Sequence, residues 1–264
     1  MRRIRALIGK ELVDLLRNRA ALVPVVVVTL VSLIMPFMII FVIPRLSGQT
    51  LARDPDLARV SRVVGAHGSL AADGQIQYFL FQQFLTLFLM TPITGAMALA
   101  SHSIVGEKQA RTLEPLLATP ITTVELLVAK VLGAVLPTLG ISLVGLAVYF
   151  GGIAAFAAPG VSLAMVSART LLLITVVGPG AALVALQAAI VISSRVNDAR
   201  TAQQFGVLLI IPLIGLLVAQ FSGSLWLSAT ALGFIGVGLF GVWILLTLVS
   251  AALFQRESIL TKWK

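Results

Sequence analysis

The stretch Leu22-Val-Pro-Val-Val-Val-Val-Thr-Leu-Val-Ser-Leu-Ile-Met-Pro-Phe-Met-Ile-Ile-Phe-Val-Ile-Pro44 runs for about 23 residues without a charge. As a helix rising about 1.5 Å per residue it covers about 34 Å, enough to cross a hydrocarbon core of about 30 Å. A secretory signal has an apolar core of only about 7–15 residues and a small-residue cleavage site after it. Neither is present, and the segment reads as a retained span.

Working outward, the same pattern recurs. Tyr78–Val105 is a second apolar run, with a kink predicted at Pro92. Glu125–Phe150 is a third, entered through Lys130 and followed by a Gly-, Ala- and Pro-containing turn from Gly151 to Gly160. Ala168–Ser194 is a fourth, in which Gly178-Pro179-Gly180 predicts a broken helix, because proline removes a backbone donor. Gly206–Gln220 is a fifth, short at about 15 residues unless it extends back through Thr201, with Asn197 or Asp198 as its cap. Leu225–Phe254 is charge-free for about 30 residues, or roughly 45 Å as one helix. It is either tilted or folded back as a re-entrant piece around Gly233, Gly236 and Gly238. The small residues Ala229, Gly233, Gly236 and Gly241 read as close helix packing.

Composition agrees with six spans. The chain of 264 residues is 59% hydrophobic and 11% charged, against about 25% charged in a typical soluble domain. The fold class is therefore all-α and polytopic: an amphipathic interfacial helix over 1–20, then a six-helix transmembrane domain over 21–264. That domain has an external loop at 45–77, cytoplasmic segments at 106–124 and 195–204, and a cytoplasmic tail at 255–264. The first helix places Ile4, Leu7, Ile8, Leu12, Leu15 and Leu16 on one side among Arg2, Arg3, Arg5, Lys10, Arg17 and Arg19.

The net charge of +9 lies in short clusters between apolar runs, as at membrane surfaces, and not on the solvated basic face that nucleic acid requires. With both termini inside, 14 Lys and Arg fall on the inner side and 5 on the outer, namely Arg45, Arg53, Arg59, Arg62 and Arg169. The positive-inside rule thus places both termini and the 106–124 loop in the cytoplasm, and the expected location is the cell membrane. The absence of cysteine excludes disulfides, thiolate catalysis and Cys-based metal sites.

The segment from Gly106 to Glu125 carries the chemistry. Thr112 caps a short helix, Pro115 fits its first turn, and Leu113, Leu116 and Leu117 share one face. Pro120 stops it, and Thr122-x-x-Glu125 is a capping box that opens the third span. The leucine stripe either packs on the inner ends of the spans or docks a cytoplasmic partner.

Here the sequence resembles a known family. Glu107-Lys108-x-x-x-Thr112-Leu113-Glu114-x-Leu116-Leu117-x-Thr119-Pro120 is similar to the cytoplasmic signature of the type-2 family of ATP-binding-cassette (ABC) transporter permeases. Lys10-Glu11-Leu12-x-x-Leu15-x-Arg17-x-Arg19 resembles the family's interfacial elbow helix. Arg200-x-x-Gln203 resembles its second cytoplasmic connector, and Phe254-x-Arg256-Glu257-x-Ile259-Leu260 its tail. Gln109 and Arg111 depart from the usual acidic residue and glycine, changing the loop's charge but not its leucine face. The resemblance implies that 106–120 is a coupling helix seated on a separate ATP-binding subunit, which holds the ATP and Mg. It also implies two permease chains working with two such subunits, and export as the direction.

Other classes of function find less in the residues. No Gly-x-x-x-x-Gly-Lys-[Ser/Thr] loop is present, so ATP hydrolysis is expected in the partner, and this chain is expected to be no enzyme and to bind no cofactor or metal. His102 between Ser101 and Ser103 lacks any Gly-x-Ser-x-Gly or His-Glu-x-x-His context. An ion-coupled transporter usually places a carboxylate within the membrane, and none of the ten acids falls deep in a span. That class and a non-transporting scaffold stay as alternatives. Gln82, Gln83, Thr86, Thr91, Thr94, Thr138, Ser142 and Gln187 are polar at membrane depth. They either line a pathway or form interhelical hydrogen bonds worth about 0.6–2 kcal/mol each.

Overall fold

The computed structural model describes residues 19–48, 50–53, 70–109, 123–196, 199–222 and 224–253, with the isolated positions 9, 13, 55 and 57. The elbow helix, most of the external loop, residues 110–122, the Asn197 and Asp198 cap and the tail lie outside the described residues. Among the described residues there are helices and no strands. The first span is α1 (Arg19–Phe37), a π turn (Met38–Val42) and α2 (Ile43–Ser47), closed by Gly48 at φ 67°, the left-handed conformation glycine takes at a helix end. A 3-10 turn (Leu51–Arg53) follows. The second span is α3 (Ala72–Phe88) and α4 (Met90–Gln109), and the third is α5 (Thr123–Phe156). A short α6 (Val161–Met165) precedes the fourth span, which is α7 (Ala168–Leu172), a second π turn (Leu173–Val177) and α8 (Gly178–Arg195). The last two are α9 (Ala199–Phe221) and α10 (Ala229–Leu253).

Five of these segments are long and apolar enough to cross a membrane, and α9 adds a shorter apolar stretch at Ile211–Phe221. The protein is an all-α polytopic membrane protein. The helix of the fifth span reaches back past Thr201 to Ala199, which brings it to 23 residues.

Prolines decide most of the local departures from regularity. Pro92 offers no N–H to the Phe88 carbonyl, and its ring presses on it. The chain answers by leaving the helix at Leu89, whose N–H turns to the Thr86 carbonyl at 3.2 Å. At Pro179 the predicted break does not occur: residues 168–195 continue as one helical span. The strain is taken up one turn earlier, where the Gly178 N–H bonds to the Leu173 carbonyl across a widened turn. That widening moves the Thr175 carbonyl off the proline ring. The first span repeats the device, its π turn ending two residues before Pro44.

One other expectation is corrected, and one open alternative is decided. The third span does not end in a turn at Gly151. It continues to Phe156, because Gly152 lets the Phe37 ring lie against its backbone, where a Cβ would sit 2.6 Å from the Phe37 Cζ. Among the described residues of the charge-free 225–254 stretch there is no re-entrant piece. Residues 225–228 are non-helical and Ala229–Leu253 is a single helix. Within it Gly236 packs tightly on Val176, but Gly233 and Gly241 meet nothing within 4 Å, so they are not packing glycines among the described residues.

The second span stands at the centre. α4 packs against α1, α5, α8 and α9, and the apolar window of this span is 83% buried, against 11% for the last span. Two core regions surround it. Towards the end that carries Leu51 and Leu70 the core is aromatic: Phe37, Phe81 and Tyr149 have ring centroids 5.5–6.0 Å apart, and the Tyr149 hydroxyl donates to the Phe81 carbonyl at 2.7 Å. Towards the other end it is built from alanines, Ala96 and Ala100 on α4, Ala134 on α5, and Ala182, Ala185 and Ala189 on α8. Small side chains let helices approach closely enough for dispersion to hold them together in lipid.

Candidate functional site

The signature loop is bracketed by two long helices. Glu107 and Lys108 lie in the last turn of α4, and α5 starts at Thr123 with Glu125 in its first turn. The helix therefore runs four residues into the predicted 106–124 loop. Thr112, Leu113, Glu114, Leu116, Leu117, Thr119 and Pro120 lie outside the described residues. Both ends of that segment are thus carried by spanning helices, and α4 and α5 also pack against each other.

The intramembrane polar residues are buried except Thr94, which is partly buried, and the hydrogen bonds that several of them make fall on separate contacts. Gln82 on α3 donates through Nε2 to Thr170 Oγ1 at 2.6 Å and to Met165 Sδ at 3.6 Å, joining the second span to α6 and α7. Gln187 on α8 donates to Thr247 Oγ1 at 2.9 Å and accepts from the Ser250 hydroxyl at 3.2 Å, joining the fourth span to the last. Thr86, Thr94 and Thr138 bond back to carbonyls of their own helices. Thr138 also closes on Gly95, where a Cβ would lie 2.6 Å from its methyl group. Gln83 differs from the other glutamines. It is 0% exposed, and neither amide atom has a hydrogen-bond partner.

Two features escaped the sequence reading. An apolar cavity of about 320 Å³ opens where the Leu89 break faces the second π turn, lined by Phe88, Pro92, Ser142, Leu143, Thr175 and Pro179. Its walls are set by backbone irregularities that hydropathy does not register. The second feature is Arg169, counted above as an outer-loop charge. It is buried in the first turn of α7, where its guanidinium lies 3.4 Å from the centroid of the Trp226 ring and Nη2 donates to Gln220 Oε1 at 3.2 Å. A lone Arg opening an apolar span was the available signal.

No curated protein matches the chain. The sequence pattern of the ABC-2 family transporter proteins matches residues 5–250, from the basic N-terminal segment through the last spanning helix. Five helices long and apolar enough to cross a membrane, a shorter apolar helix between the fourth and the last, and a match over residues 5–250 place this chain in the ABC-2 family of transporter proteins, as a multi-pass membrane subunit.

Proposed function

We propose that this chain is the permease subunit of an exporter, driven by a separate ATP-binding subunit that docks on the 106–124 loop. What supports this reading is the loop itself: the sequence puts Leu113, Leu116 and Leu117 at helical spacing on a short segment whose two ends are held by spanning helices. Movement of a docked partner would pass directly into α4, and α4 touches most of the bundle. The absence of a phosphate-cradling motif from the sequence supports hydrolysis in the partner. In this reading two permease chains and two ATP-binding subunits assemble in the cytoplasmic membrane, with the termini and the docking loop in the cytoplasm. ATP and Mg belong to the partner.

Gln82, Gln83, Thr86, Thr138 and Gln187 are the proposed pathway residues. Gln83 leads them because its amide is not committed to a neighbouring helix.

The test is to express the chain with its ATP-binding partner, purify through a tag on the permease, and assay co-purification and ATP hydrolysis. Replacing Leu113→Asp and Leu116→Asp is expected to remove both while the permease stays monodisperse. A permease that keeps its ATPase after the double change overturns docking through the leucine face. Transport that survives it and collapses with the proton gradient favours ion coupling.

A further inference from the structure

Arg169 has a different environment from the other polar groups of the bundle. It is 6% exposed, with one neutral hydrogen bond to Gln220 and an aromatic face at Trp226, and its Nε and Nη1 have no partner. Among the described residues no carboxylate pairs with it, and its titratable neighbour is the Tyr78 phenol. Burying an arginine carries a large desolvation cost. The cation–π contact and the one hydrogen bond offset only part of it. Each donor left unmatched adds to that cost. The position adds to the imbalance. Arg169 stands at the start of a 28-residue helical span, where the helix's own partial positive charge already favours an anion over a cation.

The surroundings set the depth. Gln220 ends α9, Trp226 lies on the non-helical 225–228 stretch, and Tyr78 is in the second turn of α3. Trp and Tyr together mark the membrane–water interface. Trp226 is half-buried, so the cover over the guanidinium is a side chain on irregular backbone and not a packed helix.

We propose that Arg169 forms an anion site at headgroup depth, beneath Trp226, that takes a phosphate-type oxyanion through its Nε and Nη1 donors. Arginine suits this ligand because its planar fork matches phosphate oxygens and it keeps its charge when desolvated. The site does not depend on the docking reading above, since neither the 106–124 loop nor ATP enters it.

The test uses the full chain with Trp243→Phe and Trp263→Phe, which leaves Trp226 as its single tryptophan. Its emission is followed during titration with inorganic phosphate, and in nanodiscs of phosphatidylcholine with increasing phosphatidylglycerol. A saturable change with phosphate in both lipids identifies a free anion. A change with phosphatidylglycerol that phosphate does not reproduce identifies a lipid headgroup. In either case Arg169→Gln is expected to weaken the midpoint at least about tenfold, the factor for one lost charged hydrogen bond, and Arg169→Lys less. Native mass spectrometry of the unmodified chain, counting phosphatidylglycerol retained per chain, keeps the test independent of whether Arg169→Gln folds. No response of Trp226 to either anion, or a folded Arg169→Gln protein that titrates like its parent, overturns the site.

Discussion

At the scale of single residues, the question is what each buried group meets. Gly236 faces Val176, a β-branched side chain with little freedom in a helical turn. Ala in place of Gly in a helix gains about 0.8–1.0 kcal/mol, but crowding a packed contact costs about 1–3 kcal/mol. Gly236→Ala is therefore expected to lower the thermal midpoint in detergent. Gly241→Ala, with open space around it, is expected to hold or raise it. The two buried glutamines are expected to divide in a similar way. Gln187→Leu breaks the link to Thr247 and Ser250 and should cost about 0.6–2 kcal/mol of stability. Gln83→Leu replaces an unmatched amide by an apolar group of similar size and should leave the midpoint unchanged or raised. If Gln83 lies on the pathway, the same change lowers substrate-dependent ATP hydrolysis in the assembled complex; unaltered hydrolysis would remove it from the pathway.

At the scale of elements, the spans were legible in sequence because an apolar run of about 20 residues has few other stable fates. Their irregularities were less so. Gly178-Pro179-Gly180 read as a break, yet both flanks are held from outside by the last span: Val176 against Gly236 before the proline, and Gly180 against Leu239 after it. A helix anchored on both sides of a proline absorbs it by widening a turn. Gly151-Gly152 read as a turn by composition, but contact with Phe37 makes the second glycine a packing position inside a helix. The docking loop was read as a motif, and residues 110–122 lie outside the described residues. The Arg169 cluster was not legible, because Gln220 and Trp226 lie more than 50 residues away in sequence and meet it only in the fold.

The π turn yields its own prediction. It accommodates one residue more than a regular α turn, so deleting Ile174 together with Pro179→Ala should restore an ordinary helix with both flanks in register. Monodispersity and thermal midpoint are expected to survive. Deleting Ala188 instead rotates one half of α8 by about 100° against its neighbours and is expected to abolish folded protein. Equal damage from the two deletions would show that the turn does not absorb the extra residue.

At the scale of the molecule, lipid-facing and protein-facing helices separate by composition. The first and last spans have mean hydropathies of 2.9 and 2.4 and bury little, whereas the second has 1.6 and is largely enclosed. The proposed orientation can be checked directly because the chain has no cysteine of its own. Leu46→Cys, at a position 83% exposed, should react with an impermeant maleimide on intact cells. Gly106→Cys, at an exposed position with nothing within 4 Å, should react only after lysis. The reverse pattern would invert the topology.

The enclosed second span also bears on biogenesis. It carries Gln82, Gln83, Thr86, Thr91 and Ser101, all 0% exposed, and it packs most extensively on α8. That partner ends at Arg195, roughly 90 residues later, and at about 5–20 residues per second a ribosome needs roughly 5–20 s to make it. Throughout that interval the most polar span has no finished bundle to enter. Insertion machinery or water must shelter it, and the step that commits the chain to its fold comes late in synthesis, when the fourth span arrives.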